Sequence, residues 1–351
     1  MTAAFVPAWR ERRCLAYDLP GNSTARRTLP VEFWGTTRPV YANANLSIYS
    51  GAKCNARCGF CVEELRPASR GFALAHQRRV EPDDESYFAS LQAVLQTLRP
   101  LNPSISVTGG EPSLDPRLPG ILQRVRGARR LTMTTNGSGL VQPDTGPVLL
   151  DQLLTAGLCH LNISRASPDE SHNRKLMQLD DGPNPSQLQD IAQACQRTGA
   201  RLRLSCALLR GEIDDLAGVL DYLAFARSLG IDNVIFRQLM ATDARTHRQG
   251  PVLRFSEEHR APLAPIWLAV SEHPEFTFVR QVVGYYYYVE VWRWRDVDVV
   301  FEEADLARLE DTKQLWPHVI HELVLHPNGS LCSTWQPWDG VLGPPPLQAS
   351  A

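Results

Sequence analysis

Three cysteines lie within eight residues of this 351-residue chain, in the stretch CNARCGFC. Three residues separate Cys54 from Cys58, and two separate Cys58 from Cys61. Three thiolates bind three irons of a [4Fe–4S] cluster and leave the fourth iron open to a ligand that is not protein. As with an incompletely ligated catalytic zinc, an open position indicates chemistry at the metal. The stretch therefore predicts a reactive iron–sulfur centre with Cys54, Cys58 and Cys61 as its ligands.

Four further groups of small or polar residues follow apolar runs along the chain. They are TGGEP (108–112), TTNGS (134–138), NISRASPD (162–169) and FRQL (236–239). Each group ends a short apolar segment with strand character, as the cysteine stretch does. Since the carboxyl ends of parallel strands lie on one side of a sheet, the five loops are predicted to form one site.

The segments that must position these loops alternate between short apolar runs and longer stretches of helical period, which indicates repeated βα units around a parallel sheet. Strands are predicted at 46–49, 105–108, 131–135, 160–164, 202–208 and 234–237. Helices are predicted at 84–98, 118–126, 148–156, 186–198 and 214–229. Such a series forms either a partial barrel or an open doubly wound sheet, and the periodicity does not distinguish the two.

The regions outside this core, which spans 45–242, have different patterns. Residues 1–44 are rich in Pro, Arg and small polar residues, and we interpret them as a short N-terminal extension with one strand near 31–34. We interpret residues 243–351 as a C-terminal α+β extension that covers the substrate side. In it, GYYYYVEVWRWRDVDVVF is typical of a strand, and HELVLHPNGSLC is typical of two strands joined by an Asn-Gly turn.

The overall composition argues against several classes of function. The formal net charge is -2, from 36 basic and 38 acidic residues, so nucleic acid is not an expected partner. The sequence shows neither a signal peptide nor an apolar stretch long enough to span a bilayer, which predicts a cytoplasmic protein without membrane contact. In a reducing cytosol, clustered cysteines indicate a metal site rather than disulfides.

Together, these motifs resemble those of the radical S-adenosylmethionine (SAM) superfamily. CNARCGFC matches its CxxxCxxC motif, including the aromatic Phe60 before the last cysteine, and TGGEP is similar to its GGE motif. The order and spacing of the loops extend the resemblance over residues 45–240. It is strongest to the branch that contains the molybdenum-cofactor GTP cyclase, viperin and the peptide-maturing enzymes. The resemblance implies an α/β fold with a partial (β/α)6 barrel.

The resemblance also implies roles for residues in the first two loops. The three cysteines would ligate one [4Fe–4S] cluster, and SAM would chelate its open iron. Gly109 and Gly110 lack side chains, so the backbone could approach the methionyl amine of SAM. Glu111 would fix either the strand end or that amine.

Further contacts with SAM are implied by position in the remaining loops. The residues are Asn136 and Ser164 at the ribose and carboxylate, Arg174 at the carboxylate, Arg237 facing the cofactor, and Phe60 beside the adenine. Many relatives have an acidic residue within two positions after Ser164, whereas this chain has Arg165 and Ala166.

The reaction implied by the resemblance is reductive cleavage of SAM to methionine and a 5′-deoxyadenosyl radical, which abstracts hydrogen from the substrate. It requires a low-potential electron donor such as a flavodoxin or ferredoxin. We expect a small-molecule substrate, such as a sugar, a nucleoside or an amino-acid-derived intermediate of specialised metabolism. The reason is that residues 1–44 leave no room for a leader-binding or cobalamin domain. A peptide substrate is the alternative.

Other interpretations of the cysteines stay open. The trio could form a structural Cys₃His zinc site with His76, or the chain could be a non-catalytic iron–sulfur or zinc protein. Cys206, near the end of the fifth core strand, is a candidate catalytic hydrogen-atom donor, and the favoured alternative is a buried, inert core cysteine. LVLHPNGSLC resembles the start of an auxiliary-cluster domain that would use Cys332. No cysteine follows Cys332, so a single cluster is predicted.

The segment YYYYVEVWRW alternates aromatic residues on one face of its predicted strand. Tyr286, Tyr288, Trp292 and Trp294 share this face with Glu290. Such a face could stack against a sugar or base at the open side of the barrel, or could pack in an ordinary core.

Overall fold

The computed structural model describes residues 27–51, 54–61, 83–240 and 251–344. Within these ranges the strands are β1 (Thr28–Phe33), β2 (Thr36–Tyr41), β3 (Leu46–Tyr49), β4 (Ile105–Thr108), β5 (Leu131–Thr135), β6 (Leu158–Ser164), β7 (Arg201–Leu208), β8 (Asn233–Gln238), β9 (Phe276–Val283), β10 (Tyr287–Trp294), β11 (Val297–Ala304), β12 (Leu323–Leu325), β13 (Leu331–Cys332) and β14 (Val341–Gly343). The α-helices in the same ranges are α1 (Asp84–Thr97), α2 (Leu118–Val125), α3 (Gly146–Thr155), α4 (Glu170–Met177), α5 (Pro185–Thr198), α6 (Leu216–Ser228), α7 (Pro251–His259), α8 (Leu263–Glu272) and α9 (Leu306–Leu315). In this part of the chain, no helix is both long enough and apolar enough to cross a membrane.

Twelve of these strands form one sheet, in the order β14-β13-β12-β3-β4-β5-β6-β7-β8-β11-β10-β9. The strands from β12 to β11 in that order all pair in parallel. The predicted α/β fold with a partial (β/α)6 barrel is confirmed, because β3 to β8 pair in chain order with helices between them. Among the described strands, β14 and β9 end the sheet without pairing with each other, so the barrel is open.

The alternation of side chains along the strands separates the barrel interior from the helical layer. In β7, Leu202, Leu204, Cys206 and Leu208 are fully buried in the main hydrophobic core. The intervening residues of RLRLSCAL are partly exposed and point to the other face. Because successive side chains of a strand alternate between faces, one face of β7 packs on helices while the other faces the barrel interior.

Helix α5 shows how local sequence sets the bounds of the outer layer. Asn184 accepts a hydrogen bond from the Gln187 backbone N–H, and the Gln187 side chain accepts one from the Asn184 N–H. Pro185 occupies the first helical position, where a missing N–H costs nothing. The helix ends at Gly199, whose φ of 77° is the left-handed conformation that glycine adopts readily.

The two extensions differ from the sequence predictions in their strand content. The N-terminal region contains a hairpin, β1–β2, rather than one strand, because Trp34 and Gly35 adopt positive φ values of 42° and 88° and reverse the chain. The segment predicted as one long strand is likewise a hairpin, β10–β11, with Arg295 at φ 52° in its turn. The strand–turn–strand pattern predicted for HELVLHPNGSLC is present as β12 and β13.

The C-terminal region extends the barrel wall on both sides. Strand β11 pairs in parallel with β8, and β12 pairs in parallel with β3. The sequence predicted an extension packed on the barrel as a substrate-side cover. It did not predict these strand pairings, because strands added from a distant segment leave no local signal of their partners. The division of the chain at 44/45 and 242/243 stays a prediction.

The part of the aromatic face of YYYYVEVWRW that lies in β10 is buried in the core, whereas Tyr286, just before the strand, is partly exposed. Tyr288, Trp292 and Trp294 are each at most 3% exposed. The Tyr288 ring meets Trp267 of α8 edge to face at 5.7 Å, and the buried Glu290 accepts hydrogen bonds from the Tyr288 hydroxyl and the Trp292 indole N–H. The alternative of ordinary core packing therefore accounts for this face.

Candidate active site

One cavity of about 280 Å³ lies at the carboxyl ends of the parallel strands. Loops after β3, β4, β5, β6 and β8 all contribute to its wall, as the sequence predicted. The predicted residues that line it are Cys54, Cys58, Phe60, Cys61, Gly109, Gly110, Glu111, Asn136, Ser164 and Arg237. Strand β11 adds Glu302 and Ala304, which sequence analysis missed because their neighbours in the wall come from a distant part of the chain.

Helix α4 supports the cysteine loop. The carbonyl oxygen of Met177, at the end of α4, accepts hydrogen bonds from the Arg57 backbone N–H at 3.1 Å and from the Cys58 thiol at 3.4 Å. Met177 also packs in a small apolar cluster with Phe60 and Ala166. Helix α4 was not predicted from the sequence. The available signal for its start was Asp169, which caps the helix by accepting a hydrogen bond from the His172 N–H.

Asn55 joins the cysteine loop to the loop after β5. The side-chain amide of Asn136 donates to the Asn55 side-chain oxygen at 2.8 Å, and its nitrogen lies 3.9 Å from the Cys54 sulfur. The Ser138 hydroxyl also donates to Asn55, at 3.3 Å. Asn55 is thus a site residue that sequence analysis missed. A polar residue inside the cysteine stretch was the available signal.

Glu111 holds the ends of β4 and β5 together. Its carboxylate accepts hydrogen bonds from the backbone N–H and hydroxyl of Ser113, from the Thr135 hydroxyl, and from the Asn136 backbone N–H. Burial raises the pKa of Glu111, and these hydrogen bonds oppose the rise. Both carboxylate oxygens are engaged, so the contacts support the strand-end role of Glu111 over a contact with the SAM amine.

The ring of Tyr49 packs so closely against position 109 that glycine is the residue that fits there without a shift. The φ of Gly109 is 83°, and a Cβ at this position would lie 2.5 Å from two carbons of the buried Tyr49 ring. The ring is 1% exposed and closely surrounded, so a larger residue here would force the ring or the turn to shift.

We expect Gly109→Ala to lower the free energy of unfolding by about 3 kcal/mol, from positive-φ strain and the overlap with Tyr49. Gly127 is the matched control, because its φ of 81° is similar and nothing lies within 4 Å of its added Cβ. Gly127→Ala should cost only the strain, about 1 kcal/mol. Urea unfolding of both variants measures the difference, and equal losses would contradict the role of Tyr49.

The two predicted arginines differ in position. Arg237 lines the cavity and forms an ion pair with Glu302 across 3.2 Å. Arg174 is about half exposed on α4, pairs with Glu170 at 3.0 Å and is not part of the cavity wall. The structure therefore favours Arg237 and gives no support to Arg174 as a contact of SAM.

Ser164 and Arg165 both contribute to the cavity wall, and loops around α4 hold the guanidinium of Arg165. Arg165 is 2% exposed and donates to the carbonyl oxygens of Pro168 and Pro183 and to the Glu170 carboxylate. Arg165 thus connects β6 to the loops before and after α4.

Cys206 lies outside the cavity wall, and its role as a catalytic residue stays a prediction that this position does not support. Its neighbours Ser205 and Ala207 line the cavity, whereas Cys206 is fully buried among the core side chains on the opposite face of β7. Burial raises the pKa of its thiol. Cys332 is also fully buried, in β13.

The donor set at the cavity fits an iron–sulfur cluster bound by three cysteines. Burial raises the pKa of Cys58 to about 12, and the nearby Cys61 and Cys54 contribute to this rise. Three adjacent thiols resist ionising together unless a metal supplies positive charge. Within the described ranges, no group of three His, Cys, Asp or Glu side chains converges on a single metal ion. His76, the proposed fourth zinc ligand, lies outside the described residues.

Several arginines lie near His160 in the interior of the barrel below the cavity. Burial lowers the pKa of His160, at the start of β6, to about 4, and the charges of Arg203, Arg130 and Arg201 lower it further. His160 is therefore neutral at pH 7, in a region where an added proton is unfavourable.

The lowered pKa of His160 predicts a pH dependence of stability. An unfolded histidine gains its proton near pH 6.5, whereas the folded one resists it down to about pH 4. The stabilisation is complete above pH 6.5 and is lost as the pH falls from about 6.5 towards 4. We expect His160→Gln to reduce the decline in urea midpoint between pH 7 and pH 5. An unchanged decline would contradict this assignment.

Comparisons with known proteins agree with these features. The sequence profile described as the Radical SAM superfamily matches residues 48–223, half of the chain. A GTP 3′,8-cyclase of Pseudomonas putida (strain W619) is 30% identical over 216 residues, which are 60% of this chain and 58% of the relative. A GTP 3′,8-cyclase of Aquifex aeolicus (strain VF5) is 26% identical over 182 residues, 51% of each chain. The match thus spans little more than half the length of these relatives.

Among solved structures, Streptococcus suis SuiB has a TM-score of 0.47 and 14% sequence identity to this chain. The match covers 84% of this chain and 61% of SuiB.

Proposed function

The chain belongs to the radical SAM superfamily of enzymes, and on that premise we propose that it cleaves SAM reductively at one [4Fe–4S] cluster and abstracts hydrogen from a small-molecule substrate. Cys54, Cys58 and Cys61 are the proposed cluster ligands. The observation that supports this most directly is that these three cysteines and the Gly109–Glu111 turn line the same cavity. When bound, the cluster and SAM supply the one-electron chemistry that removes the hydrogen atom.

The residues of the chain fix the site before any ligand arrives. Glu111 ties the β4 turn to β5, and Asn136 continues this connection to Asn55 in the cysteine loop. Because these side chains are already held in place, little further conformational entropy is lost when the cofactor binds. We propose that Asn136 and Ser164 contact the ribose and carboxylate of SAM, and that Phe60 lies beside the adenine.

The C-terminal region is proposed to form the substrate side of the site. Ring centroids of Phe60 and Phe255 on α7 are 6.5 Å apart, so α7 contacts the cysteine loop. Glu302 and Ala304 of β11 line the cavity beside β8. We propose that these elements help to exclude water from the site, as hydrogen abstraction requires.

A nucleotide is the proposed class of substrate. Relatives of this chain are named GTP 3′,8-cyclases, and a nucleoside is among the small molecules expected from the sequence. The Arg237–Glu302 pair offers a cation and hydrogen-bond acceptors on the wall formed by β8 and β11. The electron is proposed to come from a low-potential donor such as a flavodoxin or ferredoxin.

The proposed function is tested by anaerobic reconstitution of the protein with iron and sulfide, followed by reduction and addition of SAM. We expect 5′-deoxyadenosine and methionine as products. If the cluster assembles without cleavage, a SAM-dependent change in the EPR signal of the reduced cluster supports a requirement for substrate before cleavage. Absence of both cleavage and the EPR change contradicts the proposal, and bound zinc in place of iron would return us to the zinc alternative.

We expect Arg237→Gln to weaken SAM binding by about tenfold, because a cavity-lining cation is lost. Arg174→Gln should leave SAM affinity within about twofold of wild type, since an exposed ion pair contributes little. Equilibrium dialysis of SAM against each reconstituted variant measures both effects. A larger loss in the Arg174 variant would restore the assignment made from sequence.

A further inference from the structure

The side-chain amide of Asn136 is held at both of its polar atoms. Its oxygen accepts a hydrogen bond from the Ser138 backbone N–H at 2.9 Å. Its nitrogen donates to the Asn55 side-chain oxygen at 2.8 Å and lies 3.9 Å from the Cys54 sulfur. Because a backbone N–H can pair only with the amide oxygen, the NH₂ group of Asn136 must point towards Asn55 and Cys54.

Asn55 keeps this NH₂ group in place from within the cysteine loop. Its side-chain oxygen accepts the hydrogen bond from Asn136 and a second one from the Ser138 hydroxyl. An amide nitrogen carries two hydrogens, so the one that does not point to Asn55 is available to the Cys54 sulfur. Asn136 is 5% exposed, and little water can therefore compete for that hydrogen.

The Cys58 sulfur has a contact of the opposite kind. Its thiol donates to the Met177 carbonyl oxygen at 3.4 Å. A carbonyl oxygen has no hydrogen to donate, so Met177 offers no hydrogen bond to a Cys58 thiolate bound to iron. Asn136 therefore gives Cys54 what Met177 cannot give Cys58, which is an N–H group directed at the sulfur.

A hydrogen bond to a ligating sulfur changes the reduction potential of an iron–sulfur cluster. Reduction adds one electron, and part of its negative charge resides on the cysteine sulfurs. An N–H group directed at a sulfur stabilises that charge, so it favours the reduced form and raises the potential. Shielding from water strengthens the effect, because hydrogen bonds are stronger where the local dielectric constant is low.

We propose that Asn136 raises the reduction potential of the cluster by donating a hydrogen bond to the Cys54 sulfur, and that Asn55 is the positioning residue that keeps the amide directed at it. This inference rests on the proposed function, because it requires the cluster on the three cysteines. The step it affects is the transfer of one electron from the low-potential donor to the cluster. The Asn136 oxygen has a second lone pair, so this role is compatible with the proposed contact with SAM.

The test is an anaerobic redox titration of the reconstituted full-length protein without SAM, in which the EPR signal of the reduced cluster gives the reduction potential. Asn136→Ala removes the N–H donor without adding charge. We expect the equilibrium constant for one-electron reduction to fall by at least about tenfold, which lowers the potential by about 59 mV. Asn102→Ala is the matched control. It removes an exposed amide just before β4, at the end of that strand remote from the cavity, and should change the constant by less than about twofold.

Asn55→Ala tests the positioning role, and it also serves if Asn136→Ala does not fold or does not hold the cluster. Asn55 is exposed, so its loss should not prevent folding. The donor remains but is no longer held, so the potential should lie between those of wild type and Asn136→Ala. Iron and sulfide content establish that each variant carries the cluster.

Equal potentials in wild type and in the variants that carry the cluster overturn the inference, as does a higher potential in either variant. Cleavage of SAM by wild type is measured separately. Cleavage with unchanged potentials would leave the proposed function intact and remove only this role. Lowered potentials in a protein that neither cleaves SAM nor changes its EPR signal with SAM would support the role and contradict the proposed function. A wild-type protein that holds no cluster overturns both.

Discussion

Replacing Cys58 by alanine is expected to abolish formation of 5′-deoxyadenosine from SAM and to prevent assembly of the iron–sulfur cluster. Cys58 is the middle cysteine of the three, and its sulfur faces the site from a loop fixed by the Met177 carbonyl. With two thiolates remaining, a second iron of the cluster would lose its protein ligand, and such a cluster cannot be held in place. Iron and sulfide content and the visible absorption of the reconstituted protein measure assembly, and chromatography measures 5′-deoxyadenosine.

Cys159→Ala is the matched control for this experiment. Cys159 is also partly exposed, but it lies at the start of β6, at the opposite end of the strand from the cavity, with its sulfur 3.8 Å from the Gly157 carbonyl oxygen. The control removes one thiol without touching the site, so iron content and product formation should match wild type. If Cys58→Ala retained both the cluster and cleavage, the assignment of all three ligands would have to be withdrawn.

Replacing Glu111 by glutamine is expected to lower the free energy of unfolding by about 3 kcal/mol, since a charged acceptor is lost and a buried donor is left unpaired. All four hydrogen bonds to this side chain come from donors, and an amide NH₂ must face at least one of them. The same change should release Asn136 and with it the bond to Asn55, so SAM binding should weaken as well. Urea unfolding and SAM dialysis measure the two effects.

The control for Glu111 is Glu275→Gln. Glu275 is an exposed carboxylate that accepts two hydrogen bonds from Arg295, at 2.9 Å and 3.3 Å. Exposed pairs of this kind contribute little to stability because solvent screens them, so the variant should unfold nearly as wild type does. A similar small loss in Glu111→Gln would show that burial of the Glu111 carboxylate does not stabilise the strand ends.

Much of the fold could be predicted from local patterns. The strands predicted at 46–49, 105–108 and 131–135 have those bounds in the structure, as β3, β4 and β5. Buried parallel strands give continuous apolar runs, and each run here ends at a glycine, asparagine or cysteine loop. Helix α4 escaped prediction because its sequence, ESHNRKLM, is polar and has little apolar periodicity.

Within the site, sequence and structure agree where one loop supplies the whole signal. The cysteine spacing and the Gly-Gly-Glu turn are local, and the structure places both at the cavity. They disagree where the position of a side chain depends on its neighbours, as with Arg174, which pairs with Glu170 instead of facing the cavity.

The sequence by itself indicated which cysteines to propose as cluster ligands, the order of strands and helices, and which loops lie together at one rim. It could do so because spacing and strand alternation are properties of contiguous residues. Only the tertiary structure decided that Arg237 and not Arg174 lines the cavity, that Cys206 lies outside its wall, and that β11 brings Glu302 beside Arg237. The physical reason is that parallel pairing joins residues far apart in the chain. The register of those pairs is fixed by burial of the whole sheet, and short-range pattern does not contain it.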